Sequence, residues 1–184
     1  MPIQTPICDF GQKAIPFELK STKNTVISLN DIKGDNGTLI MFICNHCPYV
    51  KAVTKEIVED CNELKKIGIN AVAICSNDAV SHPEDSFENM IEFSKRNNFN
   101  FPYLVDETQE IAKAYDAVCT PDFFGYNKNL ELQYRGRLRE LKNLIPIKNG
   151  ESDLLKAMKQ IAETSEGPKE QIPSAGCGIK WKID

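Results

Sequence analysis

Residues 39–48, Leu-Ile-Met-Phe-Ile-Cys-Asn-His-Cys-Pro, decide the fold that this chain is expected to adopt. An apolar run of strand length ends at Cys44, two residues follow, and Cys47 stands directly before Pro48. From Tyr49 onward the apolar residues recur every three or four positions, which is the spacing of a helix. Two thiols at the junction between a buried strand and a helix are in a position that suits redox chemistry.

The composition is that of a globular protein: 41% of the 184 residues are hydrophobic and 26% are charged. Its length favours one domain, which we place at 1–165, followed by an extended C-terminal tail at 166–184 that packs on the domain. A net charge of −4 argues against nucleic acid as the main partner. No signal peptide is visible, and the longest apolar run is far short of the roughly 20 residues of a membrane span. We therefore expect a cytoplasmic protein.

Seven cysteines are spread along the chain, and this odd, scattered set is not the disulfide framework of a small secreted domain. In a reducing compartment, a Cys-x-x-Cys pair indicates redox or metal chemistry. A structural zinc site usually needs two such pairs, and the chain has no second one, so we expect neither a metal nor a cofactor. Cys61 and Cys75 lie on apolar faces and are expected to be packing residues.

The elements around the pair predict alternating strands and helices. Apolar strands are predicted at 38–43, 69–75 and 101–105, helices at 49–66, 84–97, 108–115 and around 154–161, and a hairpin at 121–135. Residues 81–84, Ser-His-Pro-Glu, have the form of a capping box that opens the second helix and accounts for His82. Long crossovers between apolar strands imply an α/β fold, a central mixed β-sheet flanked by helices on both faces. The expected fold also has an N-terminal extension, an inserted helix at 84–97 and an extended C-terminal tail.

The predicted chemistry of the pair follows from the start of the helix. Unpaired backbone N–H groups and the positive end of the helix dipole favour a thiolate there. With Cys44 just before the helix and Cys47 in its first turn, we expect Cys44 to be exposed and to attack. Cys47 would be shielded and would resolve the mixed disulfide. A protonated His46 between them would stabilise the neighbouring thiolate and make the pair more oxidising.

A second motif, Cys119-Thr120-Pro121-Asp122, precedes the predicted hairpin. A proline at the start of a strand is unusual and is a candidate for a cis peptide bond. Cys119 directly precedes this proline loop, and Cys177 lies between two glycines of the tail. Each is therefore a possible accessory thiol in a disulfide relay.

With these two motifs the chain resembles the thioredoxin-like superfamily. It is most similar to the redoxin branch, which includes peroxiredoxins of the alkyl hydroperoxide reductase and thiol-specific antioxidant type, over roughly residues 10 to 165. The resemblance implies a thioredoxin-like fold in which the loop of Thr120 and Pro121 packs against the redox pair and shapes the substrate site. It also implies a thiol–disulfide oxidoreductase, monomeric or homodimeric, that acts on protein or small-molecule disulfides and thiols, with no nucleic-acid or membrane partner.

Three features depart from the family patterns. Ile43 stands where thioredoxins have tryptophan, and Asn45-His46 replaces their Gly-Pro. The strand before the pair carries no carboxylate, so the proton acceptor is unidentified. Peroxiredoxins keep threonine three residues before a single reactive cysteine, a pattern that would make Cys47 the peroxide-reactive thiol and Cys44 its resolving partner. The two family patterns therefore assign the roles in opposite ways.

Two alternative functions follow from the resemblance. A peroxiredoxin-like thiol peroxidase would need an arginine near the sulfur, for which Arg135 and Arg137 are candidates, although both have the positions of surface charges. The second alternative is a copper carrier with the same fold. Cys44, Cys47 and His82 could imitate the ligand set of such carriers. The cysteine spacing and the missing membrane anchor argue against the carrier.

Overall fold

The computed structural model describes residues 1–184, with a seven-stranded sheet at the centre and a three-stranded and a two-stranded sheet beside it. The strands are β1 Ile3–Gln4, β2 Glu18–Ser21, β3 Val26–Ser28, β4 Gly37–Phe42, β5 Ile69–Cys75, β6 Tyr103–Val105, β7 Cys119–Thr120, β8 Asp122–Tyr126, β9 Leu132–Tyr134, β10 Leu141–Lys142, β11 Ile145–Pro146 and β12 Ala175–Gly178. The helices are α1 Leu29–Ile32, α2 Pro48–Lys66, α3 Phe87–Arg96, α4 Glu110–Ala114 and α5 Asp153–Thr164, with a 3₁₀ turn at Pro83–Asp85.

The central sheet has the strand order β3-β2-β6-β5-β4-β8-β9. Strands β4, β5 and β6 are parallel, and the remaining pairs are antiparallel. The predicted mixed sheet is therefore confirmed. Strand β4 lies between β5 and β8, and all of its residues are buried.

Helices cover both faces of the sheet, which explains why β4 is apolar at nearly every position. Leu39 and Met41 pack in a core with residues of α2, α3 and α5, whereas Ile40 and Phe42 pack in a second core with residues of α1 and α4. Because successive side chains of a strand point to opposite faces, one strand contributes to both cores. The prediction of helices on both faces is confirmed.

Helix α2 follows β4 directly and has the predicted extent. Val50, Val53 and Ile57 are buried along one face, as their spacing predicts. Pro48 occupies the first helical position, where the missing N–H costs nothing, and Gly68 has a φ of 82° just beyond the C-terminus. These signals fix the start of α2 at the edge of the sheet where β4 ends.

The predicted capping box at 81–84 is wrong. Helix α3 begins at Phe87, and its N-cap is Ser86, whose side chain accepts a hydrogen bond from the backbone N–H of Asn89 at 3.2 Å. The hydroxyl of Ser81 instead donates to the carboxylate of Asp78 at 2.8 Å. The helix starts late because the preceding turn directs the side chain of Asp85 into the protein, where it is 2% exposed.

The tail was predicted to be extended without regular structure, but it contains a paired strand. Strand β12 lies between β1 and β7 in an antiparallel sheet, with Ile3 opposite Gly176 and Cys177 opposite Thr120. Ile179, directly after the strand, is buried in the second core. The small sheet therefore joins both ends of the chain to the proline loop.

Gln109 holds the end of the tail against the domain. Its side-chain amide donates to the carbonyl of Lys180 at 2.9 Å, and its side-chain oxygen accepts the N–H of Lys182 at 2.9 Å. The N–H of Lys180 donates to the side-chain oxygen of Asn77 at 2.9 Å. None of the helices has both the length and the apolar character that are needed to cross a membrane.

Candidate active site

Cys44 and Cys47 lie in the short segment between the end of β4 and the start of α2. The N–H of Ile43 donates to the carbonyl of Ile74 at 3.0 Å, after which the chain leaves the sheet and Cys47 becomes the N-cap of α2. Both thiols are free. Cys44 is 1% exposed and Cys47 is 0% exposed, so the prediction of an exposed Cys44 is wrong. The physical reason is that the loop before Pro121 packs directly on both sulfurs.

Thr120 contacts both sulfurs of the pair. Its Oγ1 lies 3.4 Å from Cys44 Sγ, and its carbonyl oxygen lies 3.3 Å from Cys47 Sγ and accepts a hydrogen bond from it while Cys47 is protonated. The peptide bond between Thr120 and Pro121 is cis, as the position of the proline predicted. The two motifs that the sequence singled out therefore meet in one buried site.

The surroundings of the two sulfurs place the negative charge on Cys47. A hydrogen bond from the Cys44 thiol lowers the pKa of Cys47 against the effect of burial, and donation from the Cys177 thiol and the Val50 N–H adds to this lowering. The same bond to Cys47, burial and the charge of Asp85 raise the pKa of Cys44. These opposite pKa directions favour the assignment opposite to the one expected from sequence, with Cys47 as the more acidic thiol and Cys44 as the one that keeps its proton.

Asp85 is a site residue that the sequence analysis missed. It supplies the carboxylate that the strand before the pair lacks. One carboxylate oxygen accepts the backbone N–H of Asn45 at 2.8 Å, and the other accepts the side-chain amide of Asn77 at 2.8 Å. The second oxygen also lies 2.6 Å from Nδ1 of His46. Since the carboxyl ends of parallel strands meet at one edge of a sheet, an acidic residue soon after β5 was a usable signal.

Asn45 fixes the loop between the two cysteines. Its side-chain oxygen accepts a hydrogen bond from the hydroxyl of Tyr103 at 2.8 Å, and its amide donates to the carbonyl of Glu84 at 3.1 Å. Asn45 and Tyr103 are both buried. Because both side-chain atoms and the backbone N–H of Asn45 are bonded, the loop is held in one conformation.

The two histidines of the chain lie together at the site. The rings of His46 and His82 are stacked, with centroids 5.8 Å apart and planes 16° apart. His82 therefore packs on the redox loop, and its predicted role in a capping box is wrong. Ser81 Oγ lies 2.9 Å from Nδ1 of His82.

The donor atoms that converge here differ from the predicted copper set. One ligand atom each from Cys44, His46 and Asp85 lies within 4.8 Å of the others, so these three side chains have the spacing to hold a metal ion. The predicted set of Cys44, Cys47 and His82 is not the group that the fold brings together, because His82 stacks beside the site.

The predicted position of Arg135 on the surface is wrong. Its guanidinium donates to both carboxylate oxygens of Asp122, at 3.3 and 2.9 Å, and the side chains are 6% and 0% exposed. Asp122 follows Pro121 and points into the protein, where a carboxylate needs a paired charge. Arg137 pairs with Asp153 at 2.7 Å. Both candidate arginines therefore bind carboxylates in this structure.

The two predicted accessory thiols have different environments. Cys177 is partly exposed, packs against the core that contains Cys47 and lies opposite Thr120 in the pairing of β12 with β7. Cys119 is buried, and its thiol donates to the carbonyl of Pro121 at 3.9 Å. Burial raises the pKa of Cys119 to about 12. Since neighbouring residues of a strand point to opposite faces, Thr120 faces the pair and Cys119 does not.

A cavity of about 220 Å³ opens beside the site. Tyr49 and Pro121 form its end nearest the cysteines, and Phe123 and Leu138 contribute apolar surface. Its volume and lining suit one or two apolar side chains of a bound peptide.

Comparison with known proteins places the chain in a family. The model of the AhpC/TSA family matches residues 10–140. An uncharacterized conserved protein from Geobacillus kaustophilus is 43% identical, over 100% of this chain and 98% of that chain, with a TM-score of 0.95. A hypothetical protein from Sinorhizobium meliloti 1021 is 32% identical, over 98% of this chain and 99% of that chain, with a TM-score of 0.90. No curated protein gives a significant match.

More distant structures share the fold. A thiol:disulfide interchange protein of the thioredoxin family from Chlorobium tepidum TLS is 15% identical, over 83% of this chain and 97% of that chain, with a TM-score of 0.64. The family match covers more than half of the chain and includes the Cys-x-x-Cys pair and the proline loop. The chain therefore belongs to the AhpC/TSA family and has the thioredoxin-like fold that its two motifs predicted.

Proposed function

We propose that the protein is a thiol–disulfide oxidoreductase that uses Cys44 and Cys47 as its redox pair. The observation that carries this proposal is the double contact of Thr120, whose hydroxyl and carbonyl oxygens lie 3.4 and 3.3 Å from the two sulfurs. The contact holds two free thiols side by side at the start of a helix, where a thiolate is stabilised. Membership of a redoxin family supports the same chemistry.

In the proposed mechanism Cys47 is the nucleophile. Its thiolate attacks one sulfur of a disulfide, forms a mixed disulfide and expels the other sulfur as a thiolate. Cys44 then gives up its proton, attacks the sulfur of Cys47 and releases the second substrate thiol. The substrate gains two electrons from the pair, one proton from Cys44 and one proton from solvent, and the protein is left with a Cys44–Cys47 disulfide, which a dithiol donor reduces again.

His46 and Asp85 are the proposed proton acceptor for Cys44. The Asp85 carboxylate is buried and lies 2.6 Å from the imidazole of His46, and donor atoms of all three residues lie within 4.8 Å of one another. A proton that leaves Cys44 can therefore pass to this pair. His46 is itself 27% exposed along its side chain, which gives the proton a route to solvent.

The proposed substrates are protein or small-molecule disulfides, with thiols as products. The cavity beside Tyr49 and Pro121 is mostly apolar and suits side chains that flank a peptide cysteine. Neither nucleic acid nor a membrane has a role in this proposal, and the protein acts as a monomer or homodimer.

The test is insulin disulfide reduction with dithiothreitol as the electron donor. We expect Cys44→Ser and Cys47→Ser each to lower turnover at least 100-fold. Cys8→Ser is the matched control, because Cys8 is a partly buried thiol far from the pair along the chain, and it should keep wild-type turnover. Turnover that is undiminished in both site variants would rule out the proposal.

A thiol peroxidase is the second candidate, and the environment of Cys47 favours it. Cys47 is the thiol that the peroxiredoxin pattern makes reactive, and its pKa is lowered by donation from Cys44. Against this candidate, the guanidinium of Arg135 is bound to Asp122. Stopped-flow oxidation by hydrogen peroxide separates the candidates, since a peroxidase reacts orders of magnitude faster than a free thiol.

A metal carrier is a third candidate, favoured by the convergence of Cys44, His46 and Asp85. These ligands replace the set proposed from sequence. Metal analysis of protein loaded with copper and then desalted decides the matter, because a carrier retains one ion per chain and loses it in Asp85→Asn.

A further inference from the structure

The direct attack by Cys47 described above needs a substrate that reaches its buried sulfur, and a bulky protein disulfide does not reach it in this structure. Cys44 and Cys47 are 1% and 0% exposed, and Thr120 covers both sulfurs. A large substrate needs one sulfur at the surface to accept its disulfide. Cys177 is partly exposed and packs against the core that contains Cys44 and Cys47, opposite Thr120, so it lies next to both the buried pair and solvent.

Strand β12 holds Cys177 in a specific place. Cys177 lies opposite Thr120 in the pairing with β7, which puts its side chain on the face that carries the pair. The hydroxyl of Ser174 donates to the carbonyl of Pro121 at 2.7 Å and fixes the entry of the strand. The chain's own tail therefore pairs with the backbone of the proline loop and brings a cysteine to the Cys47 sulfur.

Gly176 permits this approach. A Cβ at this position would lie 1.9 Å from the carbonyl oxygen of Thr120, so the tail can come this close only with glycine here. A side chain is easier to accommodate at Gly178, since a Cβ there would meet only the end of the Ile3 side chain at 2.7 Å. The close contact between tail and proline loop thus depends on the glycine that directly precedes Cys177.

We propose that Cys177 is a third redox thiol, which takes up a disulfide at the surface and passes it to the buried pair through a Cys47–Cys177 disulfide. The proposal rests on the proposed function, since it extends the chemistry of Cys44 and Cys47. It makes Cys177 a catalytic residue that touches the reacting disulfide.

The first two steps balance as follows. The sulfur of Cys177 attacks a disulfide R–S–S–R′ and bonds to one of its sulfurs, while its proton passes through Cys47 to the departing R′ thiolate. The thiolate of Cys47 then attacks the sulfur of Cys177, forms the Cys47–Cys177 disulfide and expels the R thiolate.

In the third step Cys44 passes its proton by way of His46 and Asp85 to the R thiolate and attacks the sulfur of Cys47. The Cys44–Cys47 disulfide forms, and Cys177 leaves as a thiolate that takes a proton from solvent. The substrate has gained two electrons, Cys44 and Cys47 have lost them, and an external dithiol restores the pair.

The intermediate is trapped in Cys44→Ser, which cannot complete the third step. The reduced variant is treated with one equivalent of glutathione disulfide, blocked with N-ethylmaleimide and digested with trypsin. We expect most of the Cys47 peptide, residues 34–51, to be joined to the Cys177 peptide, residues 170–180. Linkage to residues 114–128, which carry Cys119, or retention of a maleimide-blocked Cys47, would overturn the proposal.

Turnover of insulin disulfides gives an independent measurement. We expect Cys177→Ser to be at least ten-fold slower than wild type and Cys8→Ser to be unchanged, with equal melting temperatures in both variants. If wild type turns over and Cys177→Ser matches it, the relay is wrong and the proposed function stands. If wild type and Cys44→Ser are alike, the proposed function fails and the relay fails with it.

Discussion

Nδ1 of His46 lies 2.6 Å from a carboxylate oxygen of Asp85, and we propose these two residues as the proton acceptor that the sequence of the preceding strand lacks. We predict that Asp85→Asn lowers disulfide turnover by about 10- to 100-fold, because an amide can accept the N–H of Asn45 but cannot take a proton. Asp78→Asn is the control, since Asp78 lies in the same segment and bonds Ser81. Equal turnover in both variants would contradict the assignment.

The charge of the pair can be followed by thiolate absorbance near 240 nm. Because donation from Cys44 lowers the pKa of Cys47, the Cys47 thiolate of the reduced protein should persist as pH falls below the usual thiol midpoint of about 8.5. Cys44→Ala removes the first of the donors and should shift this midpoint to higher pH. Cys47→Ala should abolish the low-pH transition, and a midpoint unmoved by Cys44→Ala would show that the donor is elsewhere.

The buried ion pair of Arg135 and Asp122 should matter for stability. Arg135→Met leaves a buried carboxylate without its partner, and we predict a loss of about 3–5 kcal/mol in the free energy of unfolding. Arg137→Met removes a partly exposed pair with Asp153 and should cost at most about 1 kcal/mol. Urea denaturation measures both. Equal losses of unfolding free energy in the two variants would show that burial does not increase the contribution of the Arg135–Asp122 pair to stability.

The close contact of the tail can be tested at two glycines of one strand. In Gly176→Ala the added Cβ meets the Thr120 carbonyl, so we predict that β12 detaches, the melting temperature falls and Cys47 becomes accessible to iodoacetamide. Gly178→Ala places the same side chain against a flexible end of Ile3 and should change these properties much less.

Trp181 reports on the same event. It is the single tryptophan of the chain, it follows β12, and the ammonium of Lys113 lies 5.7 Å from its ring. Its emission should shift toward that of a solvated indole in Gly176→Ala and stay near wild type in Gly178→Ala. Unchanged emission together with unchanged alkylation of Cys47 in Gly176→Ala would contradict the prediction.

The sequence predicts best those elements whose own residues indicate both where the element ends and which of its faces is buried. Strand β5 was predicted at 69–75 and runs from Ile69 to Cys75, and α2 differs from its prediction by one residue. Both are long and bounded by a proline or a glycine, and their apolar residues face a core at every expected position. The spacing of the apolar residues and the residues at each end are therefore enough to predict these two elements.

The missed features depend on distant partners. Strand β12 is Ala-Gly-Cys-Gly, which has no β-branched residue and no alternation, and its pairing is set by β1 and β7. The sequence analysis missed Asp85 because the preceding residue, Glu84, fits a capping box. In the structure the carboxylate of Asp85 faces inward and accepts the N–H of Asn45. The burial of Cys44 likewise follows from the proline loop, which lies more than seventy residues later.

The position of β12 between β1 and β7 also has a consequence for biosynthesis. Strand β1 lies at residues 3–4 and is synthesised before the redox loop at 44–47, whereas residues 175–178 are synthesised long after that loop. During synthesis the central sheet can form around β4 and β5 before the last strand is available. A nascent chain therefore exposes its redox loop to the reductants and oxidants of the cell until β12 has been synthesised and has paired with β7.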